Sequence, residues 1–262
     1  MSTFMIGRFL AAGRTADIYE WNPGRVLKLF HTWMPVEDIE YEFRMAQAVY
    51  ISGLAPQVFP MIQHDGRNGL IYERVQGRSM FEIFKRSLWK LQPLAQKLAD
   101  MHFQLHQSHV ESTLPPLKNK LEKKLQHANA LPDRLKQQVS EKLAAFPEGD
   151  RICHGDFHPG NIMLNGSDAK IIDWIDASRG DPLADVARTS VLLLGAASTL
   201  PNPLLRAVLN RFHAVYLERY FSLRQSGQEQ YRLWLPVIAA ARLSENISEL
   251  EPWLLKQASL IH

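Results

Sequence analysis

The sequence predicts an α+β protein in which a β-rich N-terminal part precedes a larger, mainly helical part. Three observations carry this. Apolar residues follow short β-type runs through the first 77 residues, apart from one helical stretch; from Met80 onward they recur three and four positions apart; and one Asn165-Gly166 turn between two short apolar runs interrupts the helical part. At 262 residues, 46% hydrophobic and 22% charged, the chain is long enough for one large or two modest domains and too apolar to be disordered. The period changes near Gln76 to Ser79.

Phe4 to Leu10, Ala16 to Trp21 and Arg25 to Phe30 read as three antiparallel strands, separated by a loop at Ala11 to Thr15 and by Asn22-Pro23-Gly24. Pro35 starts a helix whose first turn carries Glu37 and Asp38, favourable at the positive end of the helix dipole, and which runs to about Tyr50. Ile39, Phe43, Ala46 and Tyr50 fall on one stripe of it, with Glu42 on the flank. Val58 to Gln63 and Leu70 to Arg74 form another hairpin, joined through Asp65 to Gly69. Helices are expected over 80–88, 91–109, 117–130 and 132–146. Beyond the hairpin made by Asn161 to Leu164 and Ala169 to Ile172, more follow over 184–194, 203–225 and 230–247, with Trp253 and Leu254 in a last one. Leu94, Leu98, Met101 and Leu105 make a core stripe. His102 and His106 beside it read as structural histidines, since no Cys or carboxylate cluster accompanies them at metal-ligand spacing. The lysines of the 118–142 helices read as a solvated face.

A formal charge of +3 without long runs of like charge gives no reason for a nucleic-acid partner. No stretch approaches the roughly 18 uninterrupted apolar residues that would span a membrane, and the N-terminus lacks the pattern of a signal peptide. Cys153, alone in the chain and beside His154 in an apolar run, reads as a small buried residue, and no intrachain disulfide is possible. The expectation is a cytoplasmic protein with no membrane association and no obligate protein partner.

Chemistry concentrates between Arg151 and Asp173. Asp156 precedes a tight Pro159-Gly160 turn, Asn161 opens the first strand of the hairpin and Asp173 closes the second, so folding brings Asn161 and Asp173 to one end. An amide oxygen and a carboxylate there make a hard site suited to Mg²⁺ held mainly by phosphates and water. Asp156 is left as a base.

The pattern His154-x-Asp156-x4-Asn161, followed by an Asp on the next strand, resembles the catalytic loop and metal-binding Asp of protein kinases. Gly155 stands where most protein kinases have Arg, Asp173-Trp174-Ile175-Asp176 replaces D-F-G, and Gly180-Asp181-Pro182-Leu183-x-Asp185 follows. In these respects the chain looks like the aminoglycoside phosphotransferase and choline kinase-like branch of small-molecule kinases. The resemblance implies a bilobal protein-kinase-like fold, with a small antiparallel β lobe carrying one helix (1–77, nucleotide-binding) and a helical lobe (78–262, catalytic and substrate-binding). It implies ATP-dependent transfer of the γ-phosphate to a hydroxyl of a small molecule. Asp156 would be the base, Asn161 and Asp173 the Mg²⁺ ligands, and Lys28 the cation on the α/β-phosphates, fixed by Glu42 in preference to Glu40. Gly13 and Thr15 would lie in the loop covering the nucleotide, and Glu73 and Val75 in the linker whose backbone meets the adenine edge. His158 occupies the place of a protein-kinase Lys, either steadying the transferring phosphoryl group or bracing the turn before Pro159. His154 and Asp185 would organise the loop, while Asp176 and Arg179 serve either structure or substrate.

Two rivals remain at this level. A protein Ser/Thr kinase is disfavoured by Gly155, by Trp174 and by the lack of an A-P-E-like segment; a catalytically silent nucleotide-binding protein is opposed by Asp156, Asn161 and Asp173 together. The acceptor is not legible. Helices after Ala187 show no acidic excess of the kind a cationic acceptor would need.

Overall fold

The computed structural model describes residues 6–13, 15–109, 113–166 and 168–261. Phe4 and Met5 of the first expected strand, Arg14 of the expected cover loop and Ser167 of the hairpin turn lie outside the described residues, as do the first five residues of the N-terminal segment read for a signal peptide. In chain order the first half comprises β1 (Phe9–Ala12), β2 (Ala16–Glu20), β3 (Arg25–Phe30), α1 (Val36–Val49), β4 (Val58–His64), β5 (Arg67–Glu73), β6 (Arg78–Ser79), α2 (Met80–Arg86), α3 (Leu91–Leu105), α4 (Leu117–Gln126) and α5 (Asp133–Ala145). The second half comprises β7 (Arg151–Cys153), β8 (Ile162–Asn165), β9 (Asp168–Ile171), β10 (Ser178–Gly180), α6 (Pro182–Thr199), α7 (Pro203–Arg224), α8 (Gln228–Arg242) and α9 (Glu251–Ala258). The described residues divide into two compact units, one within Met1–Ser79 and Ile162–Ile175, the other within Met80–Asn161 and Asp176–His262.

The first unit is built on an antiparallel sheet of order β1-β2-β3-β5-β4. Alternation along β3 sorts its side chains. Leu27 and Leu29 enter one apolar cluster with Ile71, whereas Phe30 enters the other, with Ala16, Leu70 and Ile39 of α1. Lys28, in register with Leu70, therefore points to the α1 side. The β4–β5 hairpin closes in two residues, Asp65 and Gly66, both with positive φ (47° and 74°), the backbone that Asp tolerates and Gly adopts freely. The expected five-residue loop is thus mostly strand, with His64 paired to Arg67.

Other expectations shift for identifiable reasons. Among the described residues the first strand begins at Phe9, and the loop expected at Ala11 begins after Ala12. Helix α1 ends at Val49, and a short 3₁₀ turn leads to Gly53 at φ 70°, a left-handed stop. Tyr50 is consequently 47% exposed, and the buried stripe is Ile39, Glu42, Met45, Ala46 and Val49. The hairpin β8–β9 belongs with the first unit, not with the helices that surround it in sequence. Its strand β8 pairs with β6, the Ile171 amide donates to Leu54 O (2.8 Å), and Lys170 Nζ donates to Gly53 O (3.0 Å). Such edge pairing is long-range and leaves no periodic mark.

The second unit is helical except for the β7–β10 pair, of which β10 was not expected because it is only three residues long. Leu94, Leu98, Met101 and Leu105 are buried as the α3 stripe requires, and α3 packs on α7. Asp181 caps α6 by accepting from the Leu183 amide (2.9 Å), and Pro182 supplies the first turn, so α6 starts two residues before the expected Ala184. The lysines of α4 are not uniformly solvated. Lys118 donates to Ala144 O and Phe146 O (3.0 and 2.7 Å), and Lys120 and Lys124 reach Asp176 (3.6 and 3.4 Å), leaving Lys123 on the exposed face. Among the described residues, no helix is long and apolar enough to cross a membrane.

Candidate active site

In the first unit Lys28 donates to both oxygens of Glu42, at 2.7 and 2.8 Å. The pair is mostly buried, at 19% and 10% side-chain exposure, and the Tyr72 hydroxyl gives Glu42 a third hydrogen bond at 3.0 Å. Glu40 instead lies on the exposed face, 4.0 Å from Arg44 one turn on. Glu42 is thus positioned to hold the Lys28 ammonium at a fixed point, as a charge-assisted pair in a partly dry setting does. Gly13 donates its amide to Ala16 O (2.8 Å), and Thr15 O accepts from the amide of His31, just past β3 (2.9 Å). The Glu73 amide donates to Gln57 O (2.8 Å), ending β5 one residue before Arg74 and two before the half-buried Val75. Asp173 follows β9 with φ 65° and an exposed carboxylate, while the next residue, Trp174, is buried with its Nε1 on Ile171 O (2.8 Å). The buried indole and the left-handed turn together aim the Asp173 side chain outward.

In the second unit the loop after β7 carries Asp156. Gly155 has φ 79°, and a Cβ there would meet Asp176 O at 2.6 Å, so an arginine of the protein-kinase type is excluded on steric grounds. His154 is fully buried and its Nδ1 accepts from the Asp156 amide (3.1 Å), bracing the loop from within. Asn161 donates through Nδ2 to Asp156 O (2.9 Å) and Oδ2 (3.2 Å). That leaves its amide oxygen as the atom a cation would take. An amide oxygen here and a carboxylate at Asp173 are both hard donors of the type Mg²⁺ accepts, so the residues fit that ion. His158 Nδ1 accepts from the Gly160 amide (3.0 Å), and its Nε2 faces Asp156 Oδ2 at 3.4 Å. Burial alone would raise the Asp156 carboxyl; the hydrogen bond and charge of His158, then Arg188, hold it down at about 2.

Arg188 was not singled out from the sequence. It lies 10% exposed, donates through Nε to Gly155 O (3.0 Å), pairs with Glu245 (2.6 Å) and stands 3.8 Å from Asp156 Oδ1. One signal could have found it. Asp185 and Arg188 are three apart on α6, hence on one face, and Asp185 serves the same loop.

Asp185 is buried in the first turn of α6, where Oδ2 accepts from the His154 amide (2.6 Å) and Oδ1 from the Gly155 amide (2.9 Å). From the other side His102 Nε2 (3.1 Å) and His106 Nε2 (3.3 Å) reach Oδ2, and their Nδ1 atoms meet the hydroxyls of Tyr216 and Tyr220 at 2.7 Å each. With Asp185 charged, each Nε2 carries the proton and each Nδ1 accepts from its tyrosine. Burial opposes that charge, and the hydrogen bonds from both rings outweigh it, holding the Asp185 carboxyl well below the usual range. The ligand-type atoms of His102, His106 and Asp185 lie within 4.8 Å of one another, but every one already has a hydrogen-bonding partner. The trio is a structural brace, as expected of the two histidines.

The brace has a pH consequence. Burial pushes His102 down to about 3 and His213 to about 4, and lowers His106 in the same direction. These rings stay neutral in the folded chain, whereas the unfolded chain protonates them below about pH 6.5. The unfolded state then binds more protons, so stability present above that pH is lost as pH falls toward the folded values. The urea midpoint is expected to drop from pH 7 to pH 5, by up to about 1.4 kcal/mol per pH unit for each ring. His213 Nε2 is buried without a hydrogen-bonding partner, so His213→Leu should flatten that decline by roughly a third. A midpoint independent of pH over this range would contradict the neutral rings.

The model of the phosphotransferase enzyme family (APH) matches residues 7–234 of the chain. The chain belongs to this family. It is therefore a small-molecule phosphotransferase of the branch that the His154–Asn161 pattern resembles. No curated protein matches the sequence. Among solved structures, the phosphotransferase is similar to an aminoglycoside-3'-phosphotransferase of type VIII, at 18% identity over 93% of each chain and a TM-score of 0.62. It is also similar to the ADP-bound aminoglycoside phosphotransferase APH(2'')-Ib, at 17% identity over 97% of this chain and 94% of that one, TM-score 0.61. A choline/ethanolamine kinase family protein from Mesorhizobium loti matches at 16% identity over 97% and 94%, TM-score 0.51. These likenesses establish the kinase-like α+β fold of the phosphotransferase.

Proposed function

We propose that this phosphotransferase moves the γ-phosphate of ATP to a hydroxyl of a small molecule, with Asp156 as the group that receives the hydroxyl proton. The observation that carries the reading is the setting of Asp156, a carboxylate held ionised at about 2 and fixed by His158, Asn161 and Arg188. So acidic a group is a poor base toward a free alcohol. It acts by orienting the hydroxyl and accepting its proton late, once the oxygen has begun to bond to phosphorus, which suits the loose transition state of phosphoryl transfer. Lys28, held by Glu42, binds the α/β-phosphates; Gly13 and Thr15 lie over the nucleotide, and the Glu73–Val75 backbone reads the base. His158 braces the turn through Nδ1 and directs its single Nε2–H toward Asp156, steadying that carboxylate beside the transferring phosphoryl group. Asn161 and Asp173 hold Mg²⁺, which when bound neutralises phosphate charge.

ATP consumption measured against a panel of hydroxylated metabolites tests the reading, and no acceptor-stimulated ADP release from any of them, together with no nucleotide binding, would overturn it. The metal assignment has its own test. A carboxylate brings formal charge to a hard cation and an amide only a dipole, so Asp173→Asn is expected to raise the Mg²⁺ concentration for half-activity more than Asn161→Ala. The reverse order in a Mg²⁺ titration would remove the assignment.

A further inference from the structure

Beside Gly155 the second unit holds a cleft lined by Lys120 and Lys124 of α4, Asp176, Arg188 of α6 and Arg242 of α8. Its charges are not balanced one for one. Lys120 and Lys124 share a single oxygen of Asp176, at 3.6 and 3.4 Å, with Lys120 Nζ also donating to the uncharged Ala177 O (3.4 Å), and Arg188 and Arg242 share Glu245, at 2.6 and 3.1 Å. Asp185 also borders the cleft, but its oxygens are engaged from beneath by the His154 and Gly155 amides and by two imidazoles. An ammonium-bearing molecule entering here would meet four cations and only carboxylates that already serve two or more donors. An anion would meet two ammoniums divided over one carboxylate oxygen, in a setting dry enough that burial lowers the Lys120 pKa. Arg188 ties this cleft to the base, since it donates to Gly155 O at 3.0 Å and lies 3.8 Å from Asp156 Oδ1.

We infer that the acceptor is itself an anion, a small hydroxylated carboxylate or phosphate ester whose charged group docks on Lys120 and Lys124 while its hydroxyl meets Asp156. The inference rests on the phosphoryl-transfer reading and names the substrate class of that same site. It separates this chain from any relative that takes a polycationic acceptor, through the side chains of α4 and not through the catalytic loop.

The test is calorimetric titration of the full chain, in the presence of Mg²⁺ and a non-hydrolysable ATP analogue. The probes are D-glycerate and glycerol 3-phosphate as the two kinds of anion, glycerol as the neutral control, and ethanolamine and kanamycin as cations. At least one anion is expected to bind about ten- to hundred-fold more tightly than glycerol and the cations, the range of one or two charge-assisted hydrogen bonds. Which of the two anions binds more tightly distinguishes carboxylate from phosphate. Lys120→Gln combined with Lys124→Gln should abolish that preference, and Lys120→Arg with Lys124→Arg should keep most of it. Lys124 is 30% exposed, so Lys124→Gln alone provides a variant that folds if the double one does not, with about a tenfold loss expected. Preferential binding of ethanolamine or kanamycin, equal affinity across the charges, binding of neither anion, or an anion affinity untouched by these substitutions would each overturn the inference. Failure of the underlying reading shows separately, as no binding of the ATP analogue to the unaltered chain.

Discussion

Asp156→Asn is expected to lower turnover by about 10²- to 10⁴-fold while leaving nucleotide affinity within about twofold of the unaltered chain. The substitution preserves the volume and one oxygen, so Asn161 Nδ2, now 3.2 Å from Asp156 Oδ2 and 2.9 Å from the backbone oxygen, keeps an acceptor. What it removes is the only charge in the loop able to take a proton from the acceptor hydroxyl. The loss should fall on kcat, because the group acts when the oxygen loses its proton and not when ATP binds. Because Asp156 is held at about 2, its charge does not change between pH 5 and pH 9, and any acid limb of activity in that range belongs to another group. ADP release measured by a coupled assay, beside nucleotide affinity from titration, decides the matter. Turnover within threefold of the unaltered chain would remove Asp156 from the reaction.

Asp185→Ala should have the largest effect on stability of any single change in the second unit. It strips an acceptor from the His154 and Gly155 amides and from His102 and His106, all in surroundings only 0–2% exposed apart from Gly155. Breaking a buried charged network by removing one partner costs about 3–5 kcal/mol, and for a chain of this size each kcal/mol lowers Tm by roughly 2–4 °C. The expected fall is therefore about 6–20 °C, with Asp185→Asn intermediate because one oxygen remains to accept. A thermal melt shifted by less than about 2 °C would show that the loop is held by other means. The same variant should lose activity even where it remains folded, since the two amides fix the backbone immediately before Asp156.

The two effects rest on different kinds of information. Asp156, Asn161 and Asp173 could be proposed from the sequence because Asp156-x4-Asn161 with an Asp after the second apolar run is a pattern of residue types and spacings along the chain. Lys28 and Glu42, with Glu42 preferred to Glu40, were named through the family resemblance, and the structure pairs them, with Lys28 on the Phe30 face of β3. The Asp181-Pro182 start of α6, two residues before the expected Ala184, carries Asp185 into the first turn.

The sequence by itself determined the fold class and the family pattern, because dihedral preferences, side-chain periods and motif spacings are properties of a few neighbouring residues. Only the tertiary structure decided who meets whom at long range. Nothing in the chain marks Tyr216 and Tyr220 as the donors to His102 and His106, 114 residues earlier, or Tyr72 as the second donor to Glu42. A single sequence shows that α4 has a lysine-bearing face; it does not show that Asp176 turns Lys120 and Lys124 toward Gly155 while Lys123 stays in water. The physical reason is that a helix presents several polar faces of similar composition. The partner covering each is selected by the packing of the apolar stripes, which places charges as a by-product and leaves no signal in their spacing.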